Sequence, residues 1–189
     1  MRSPAGKPQG RSHTHHPPCH HSSVIVPALS QAEISDARAV VRLRDAAAEW
    51  QQSLGIDQWA PGEVTEALLA DRALAGELFV ARRRQDIIAA VVLQWDDGMV
   101  WGVSAAEAGY IHSLMIDRRH SGTGLGRGVL AWAETEIAAR GRKVARLDCV
   151  ESNAALRAYY RRVGYAEVSR KAFAPESGLK PVTLFEKHL

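Results

Sequence analysis

Cysteine is nearly absent from this chain: Cys19 and Cys149 are the two among 189 residues. Two thiols exclude a disulfide-built scaffold and fit a reducing compartment. Long apolar runs are missing too. None approaches the roughly 20 residues that a membrane-spanning helix needs, and the first residues hold no apolar stretch of the signal-peptide kind. The expected location is therefore the cytoplasm, with no membrane partner. No single sign of charge dominates either: 24 Lys and Arg stand against 21 Asp and Glu, for a net charge of +3. The densest basic cluster, Arg82 to Arg84, fits the solvated turn of a hairpin, and one short basic turn is too small a footprint for nucleic acid. What the chain does have is 46% hydrophobic residues and a length near that of one domain, enough to bury a sizeable core without staples.

Residues 1–23 differ from the rest. They hold Pro4, Pro8, Pro17 and Pro18 and almost nothing apolar, so they cannot offset their ordering entropy and are expected to be disordered. Five histidines there (His13, His15, His16, His20, His21) and Cys19 can chelate metals opportunistically, but a built site needs fixed geometry and a second shell of partners. No metal cofactor is expected.

From Val24 onward the pattern is regular, and residues 24–189 read as one domain. Strands are predicted over Val24–Ala28, Glu77–Arg82, Ile87–Gln94, Tyr110–Asp117, Val144–Val150, Ala166–Arg170 and Val182–Lys187. The third is apolar throughout and should be buried on both faces. A first helix is expected to be capped by Ser30 with Glu33, a capping-box spacing, and to present Val40, Leu43, Ala47, Trp50 and Leu54 on one face before Gly55. Further helices are predicted at Val64–Asp71, Leu125–Arg140 and Asn153–Val163. The sum is a mixed α/β domain, one sheet with helices on its faces.

The sharpest local signal is Ser121-Gly122-Thr123-Gly124-Leu125-Gly126, lying between the fourth strand and an amphipathic helix. Alternating glycines let backbone and ligand approach closely, and the helix points unpaired N–H groups into the turn, which suits phosphate or pyrophosphate. A Walker loop is excluded, because Gly126 is followed by Arg127 and Gly128 instead of Lys and Ser/Thr. A dinucleotide fingerprint normally follows the first strand of its fold, so a nicotinamide enzyme is disfavoured.

Three stretches in one order, Tyr110 to Asp117, Ser121 to Arg127 and Asn153 to Tyr165, resemble the GNAT superfamily of acyl-CoA-dependent N-acetyltransferases. Its signature, Arg/Gln-x-x-Gly-x-Gly/Ala, falls here with Ser121 in the place of Arg/Gln and with Gly124 and Gly126 as its glycines. A shifted frame would instead use Arg119, Gly122 and Gly124. Asn153, Tyr160, Gly164 and Tyr165 match the downstream pattern. The resemblance implies a GNAT fold: one central mixed sheet of six to seven strands, splayed into a V between the fourth and fifth, with acetyl-CoA as acyl donor. The Ser121–Arg127 backbone (Ser121, Gly122, Thr123, Gly124, Leu125, Gly126, Arg127) would hold its pyrophosphate. Without the signature's cation, affinity should fall modestly unless Arg119 or Arg127 substitutes. Leu114, Met115 and Ile116 would pair with the pantetheine arm, and a main-chain N–H there would polarise the thioester carbonyl.

In the same resemblance Tyr160 matches the general acid that protonates the departing thiolate, the alternative being a packed helix residue with Tyr159 as core aromatic. Asn153 would bind pantetheine amides or cap its helix. His112, on a face with Tyr110 and Leu114 by period two, is the candidate general base or else a partly buried, satisfied histidine. Glu151 is the reserve base, and Cys149 reads as core. Acceptor contacts are expected from Asp57 and Trp59, whose ring either cradles a cationic amine or covers the core edge, with Tyr110 and Glu151 nearby. The implied activity is transfer of acetyl to a primary amine, on a small molecule or a protein, by direct attack in a ternary complex. A non-catalytic acyl-CoA-binding module of the same fold is the other reading. A monomer or a homodimer is compatible with either.

Overall fold

A computed structural model describes residues 28–103 and 106–189. The tail at 1–23 and most of the strand expected at Val24–Ala28 lie outside the described residues. The first strand described is β1, Leu29–Gln31. Then come α1 (Ala37–Ser53), α2 (Glu66–Leu74), β2 (Leu78–Arg83), β3 (Asp86–Gln94) and the short α3 (Gly98–Trp101), followed by β4 (Ala108–Ile116) and α4 (Leu125–Ala139). The chain continues through β5 (Val144–Val150), α5 (Ala154–Arg162), β6 (Ala166–Lys171) and β7 (Val182–His188).

The capping box forms three residues later than the spacing suggested. The backbone of Ser30 is committed to β2, opposite Val80, so the helical segment instead opens at Glu33. The N–H of Glu33 donates to Asp36 Oδ2 at 2.8 Å, and Arg82 also donates to that oxygen. Leu54, expected on the buried face, is 58% exposed because α1 ends at Ser53.

The strands join one seven-stranded sheet in the order β1-β2-β3-β4-β5-β7-β6. All neighbours are antiparallel except β4 and β5, which run parallel. Alternation along the central strands feeds two cores. Leu78, Val80, Ala90, Val92 and Met115 pack under α1 and α2. Phe79, Val91, Leu93, Ile111, Leu147 and Phe185 pack under α4 and α5. As expected, β3 is buried on both faces. Helix α4 lies close on β4: a Cβ built on Gly109 would sit 2.6 Å from Ile137 Cγ1, so only glycine admits this approach. No helix among the described residues is long and apolar enough to cross a membrane.

Candidate active site

β4 and β5 pair only from Ala108↔Val144 to Tyr110↔Arg146, and beyond that rung they diverge. The same stretch of β4 carries a bulge. Its register with β3 shifts between Ala90 and Val92, and Ser113 adopts φ 50°, a left-handed conformation rare for a residue with a Cβ. The extra residue reverses the alternation. Ile111 and, after the bulge, Leu114 and Ile116 all pack toward α4 and α5, whereas Met115 joins the opposite core. His112 therefore does not share a face with Leu114, as simple period two would have it; it shares one with Tyr110.

The splay opens into a cleft of about 710 Å³ bounded by α1, the 56–59 loop, the 114–116 segment of β4, the glycine loop and the start of α5. Gly124, at φ 84°, is the N-cap residue of the 15-residue α4, so the first-turn N–H groups of that helix face the cleft without helical partners. Ser121, Gly122, Gly124, Leu125, Gly126 and Arg127 line it. Thr123 does not; its hydroxyl donates to the His120 carbonyl at 2.7 Å and so ties the turn. Arg127, Arg162 and Arg118 bring positive charge to the rim, with Arg118 stacked 3.4 Å over the Trp50 ring. Arg119 cannot stand in for the missing signature cation: it is clamped to Asp117 through both its Nε and Nη2, outside the cleft.

At the first open rung of the splay, His112 meets two carboxylates from other elements. Its Nε2 lies 3.6 Å from Asp97 Oδ2 and its Nδ1 lies 4.0 Å from Asp148 Oδ1. Burial holds the imidazole below its ordinary pKa, against the opposing pull of Asp97. Burial, with the nearby Asp97 charge, pushes the Asp148 carboxyl up to about 6. Sequence spacing gave no sign of Asp97, which is placed by capping α3 through its Oδ1, 3.2 Å from the Val100 N–H. Gln58 was missed as well. Its Oε1 accepts from Val150 N and Asn153 Nδ2, pinning the loop across the open end of the splay. Those partners are more than 90 residues away in sequence, and no local pattern announces such a clip.

The tyrosines are exchanged relative to expectation. Tyr160 is the core ring, 6% exposed against Tyr159, Tyr165 and Phe185. Tyr159 lines the cleft, with a buried hydroxyl that has no hydrogen-bond partner among the described residues. Burial first, then the charges of Cys149 and Asp148, make the Tyr160 phenol much harder to ionise. Asn153 does cap its helix, accepting from the Leu156 N–H at 3.1 Å, and its amide also donates to Gln58. One N–H remains to serve a ligand in the cleft.

Several expected acceptor contacts are not available. Tyr110 is fully buried beneath Trp101, its hydroxyl taking a bond from Arg146. Asp57 is ion-paired with Lys180 outside the cleft. Glu151 is tied to Arg170 in an exposed ion pair, whose hydrogen bond lowers its pKa. Trp59 lines the cleft, but Arg44 already covers its ring at 3.9 Å. Cys149 is fully buried and its thiol is pushed up to about 12 by burial and Asp148, which leaves it inert.

A parallel pair of strands that parts at a bulge, next to a helix N-terminus with a glycine turn, is the arrangement that the resemblance to the GNAT superfamily implies. The acetyltransferase (GNAT) family matches residues 43–165, and the chain belongs to that family. It is 35% identical over 143 residues to the uncharacterized N-acetyltransferase YesJ of Bacillus subtilis (strain 168), covering 71% of this chain and 78% of that protein. Among solved structures, a GNAT-family acetyltransferase of Listeria monocytogenes 4b F2365 superposes with a TM-score of 0.71 at 24% identity, over 86% of this chain and 94% of that one. The PaiA N-acetyltransferase of Thermoplasma acidophilum, solved in complex with coenzyme A, gives 0.64 at 13% identity, over 86% and 98%. The fold, the splay and the class of acyltransferase are thus those of this family.

Proposed function

We propose that this protein transfers an acetyl group from acetyl-CoA to a primary amine by direct attack in a ternary complex. The observation that carries the reading is the first open rung of the splay, where a buried imidazole on β4, held below its ordinary pKa, lies 4.0 Å from the Asp148 carboxylate on β5. A base for an ammonium nucleophile must be unprotonated at working pH, and burial supplies that state.

The residues present fit the donor. The N–H groups opening α4 suit the pyrophosphate, with Arg127 and Arg162 at the rim supplying the charge that Ser121 lacks. The 114–116 backbone, unpaired on its β5 side, suits the amides of the pantetheine arm. When bound, acetyl-CoA supplies the activated thioester. His112 takes a proton from the amine. A main-chain N–H near the Ser113 bulge polarises the thioester carbonyl. Tyr160, which holds the family's general-acid position and lies near enough to Asp148 at the splay to feel its charge, hydrogen-bonds the leaving thiolate.

Two variants test this assignment. Tyr160→Phe should lower turnover about 10²–10⁴-fold, the worth of a general acid, with acetyl-CoA affinity little changed. If Tyr159→Phe has that effect and Tyr160→Phe does not, the acid is the cleft-lining tyrosine. Gly124→Val, at φ 84°, should abolish acetyl-CoA binding by calorimetry. Normal affinity in that variant would remove the glycine loop as the donor site, and stoichiometric acetyl-CoA binding without thiol release for any amine would favour a binding module.

A further inference from the structure

The carboxylates at the splay are undercompensated. Asp97 has a side chain only 10% exposed, and its Oδ2 is buried with no hydrogen-bond partner among the described residues. His112 Nε2, directly opposite, is equally unpartnered. Asp148 comes in from β5 on the same face of the sheet, since its neighbour Cys149 points into the α4/α5 core. The nearby cations are engaged elsewhere: Arg72 holds Glu77 at 2.6 Å, and Arg146 holds Glu186 at 2.6 Å. A buried carboxylate oxygen facing no donor is costly unless a cation arrives to satisfy it.

One donor atom each from Asp97, His112 and Asp148 lie within 4.8 Å of one another. Separations of that size let one small group reach all three corners, at distances that extend up to those of charge-assisted N–H···O bonds. A primary ammonium has three N–H donors for those three corners. A divalent transition metal, with bonds of about 2.0–2.2 Å, is the competing occupant of the same three corners.

We propose that Asp97, His112 and Asp148 form the seat for the acceptor's ammonium, and that the acceptor is a cationic alkylamine with no carboxylate on the carbon beside the amine. An α-carboxylate would be placed against Asp97 and Asp148; like charges about 5 Å apart at an effective dielectric near 20 weaken binding about a hundredfold. The proposal rests on the acetyl-transfer reading and deepens it. Seated this way, the ammonium loses one N–H proton to His112 and thence to solvent. Its freed lone pair then forms the amide C–N bond as the C–S bond breaks. The second proton lost from nitrogen balances the one the thiolate gains, so one proton is released per acetyl group.

The test is calorimetric titration of the CoA-saturated protein with butylamine, 1,4-diaminobutane and alanine, with thiol release from acetyl-CoA measured on the same three. Butylamine and 1,4-diaminobutane should bind, and alanine should bind about a hundredfold more weakly. Asp97→Asn and Asp148→Asn should each weaken amine binding tenfold or more while leaving acetyl-CoA affinity unchanged, which also reports that the variants are folded. Alanine binding as tightly as butylamine, or amine binding indifferent to both substitutions, overturns the seat. So does stoichiometric Zn²⁺ or Mn²⁺ binding that Asp97→Asn abolishes, which would make the triad a metal centre. Amines that bind through the triad but release no thiol leave the seat standing and remove acetyl transfer. Thiol release with acceptors indifferent to the triad does the reverse.

Discussion

Replacing Asp148 by Asn should make the protein more stable while making it a poorer acceptor-binding protein. The carboxyl titrates near 6 in the fold against 3.8 when solvated, because burial and the Asp97 charge both penalise its ionised form. Above pH 6 the folded state bears that penalty and the unfolded state does not; at about 1.4 kcal/mol per pH unit the gap is worth about 3 kcal/mol. The sign follows from proton counting: between pH 4 and 6 the folded form binds more protons, so stability falls as pH rises through that window. Asn keeps the shape and removes the charge. The variant should therefore gain about 2–3 kcal/mol at pH 8, or roughly 4–12 °C in Tm at about 2–4 °C per kcal/mol for a domain of this size. The gain should shrink toward zero as the pH approaches 4. Urea unfolding at pH 8, 6 and 4.5 measures it. A gain independent of pH, or a loss at pH 8, would refute the claim that this carboxylate is held charged in a desolvated gap.

The remaining predictions concern other links of the argument. Gly109→Ala forces a methyl against Ile137 Cγ1 and Cγ2 and should cost about 1–3 kcal/mol, and the same change should cost less in an Ile137→Ala background, which lacks both atoms; an unchanged urea midpoint would deny the close β4–α4 approach. Ser121→Arg restores the signature cation beside the α4 N-terminus and should tighten acetyl-CoA binding about three- to tenfold by calorimetry, as expected for one added charge-assisted contact. The acid limb of kcat/KM should fall with an apparent pKa no higher than about 6, because His112 is lowered and Asp148 titrates there. The charges of Asp97, Arg72 and Glu77 act on His112, and Asp148 lies 4.0 Å from its Nδ1, so the limb belongs to the cluster and not to one residue. An acid limb centred above pH 7 would exclude the buried imidazole as the base.

Much of the architecture was legible in local pattern. The apolar run of β3, the fourfold spacing of Leu125, Val129, Ala133 and Ile137, and the boundaries of β5 all follow from periodicity, which is set by backbone geometry within each element. The glycine turn was legible for the same reason, since it needs only its own residues. Where local pattern misled, neighbours had overridden it: Ser30 was drawn into β1 by its pairing with Val80, and so could not cap a helix.

The site itself was decided in three dimensions. Successive residues on a helix point about 100° apart, so the identity of the core tyrosine depends on how α5 docks, and it docks with Tyr160 inward and Tyr159 toward the cleft. One bulged residue, Ser113, flips every side chain after it, which a period-two reading cannot foresee without the partner strand. Asp97, His112 and Asp148 belong to a loop and two strands, and only the parting of β4 from β5 brings them together. The sequence by itself determined most of the strands and helices and the glycine turn, because those depend on nearest neighbours. The tertiary structure decided which charges share the gap, because that depends on which distant strands stop pairing and where.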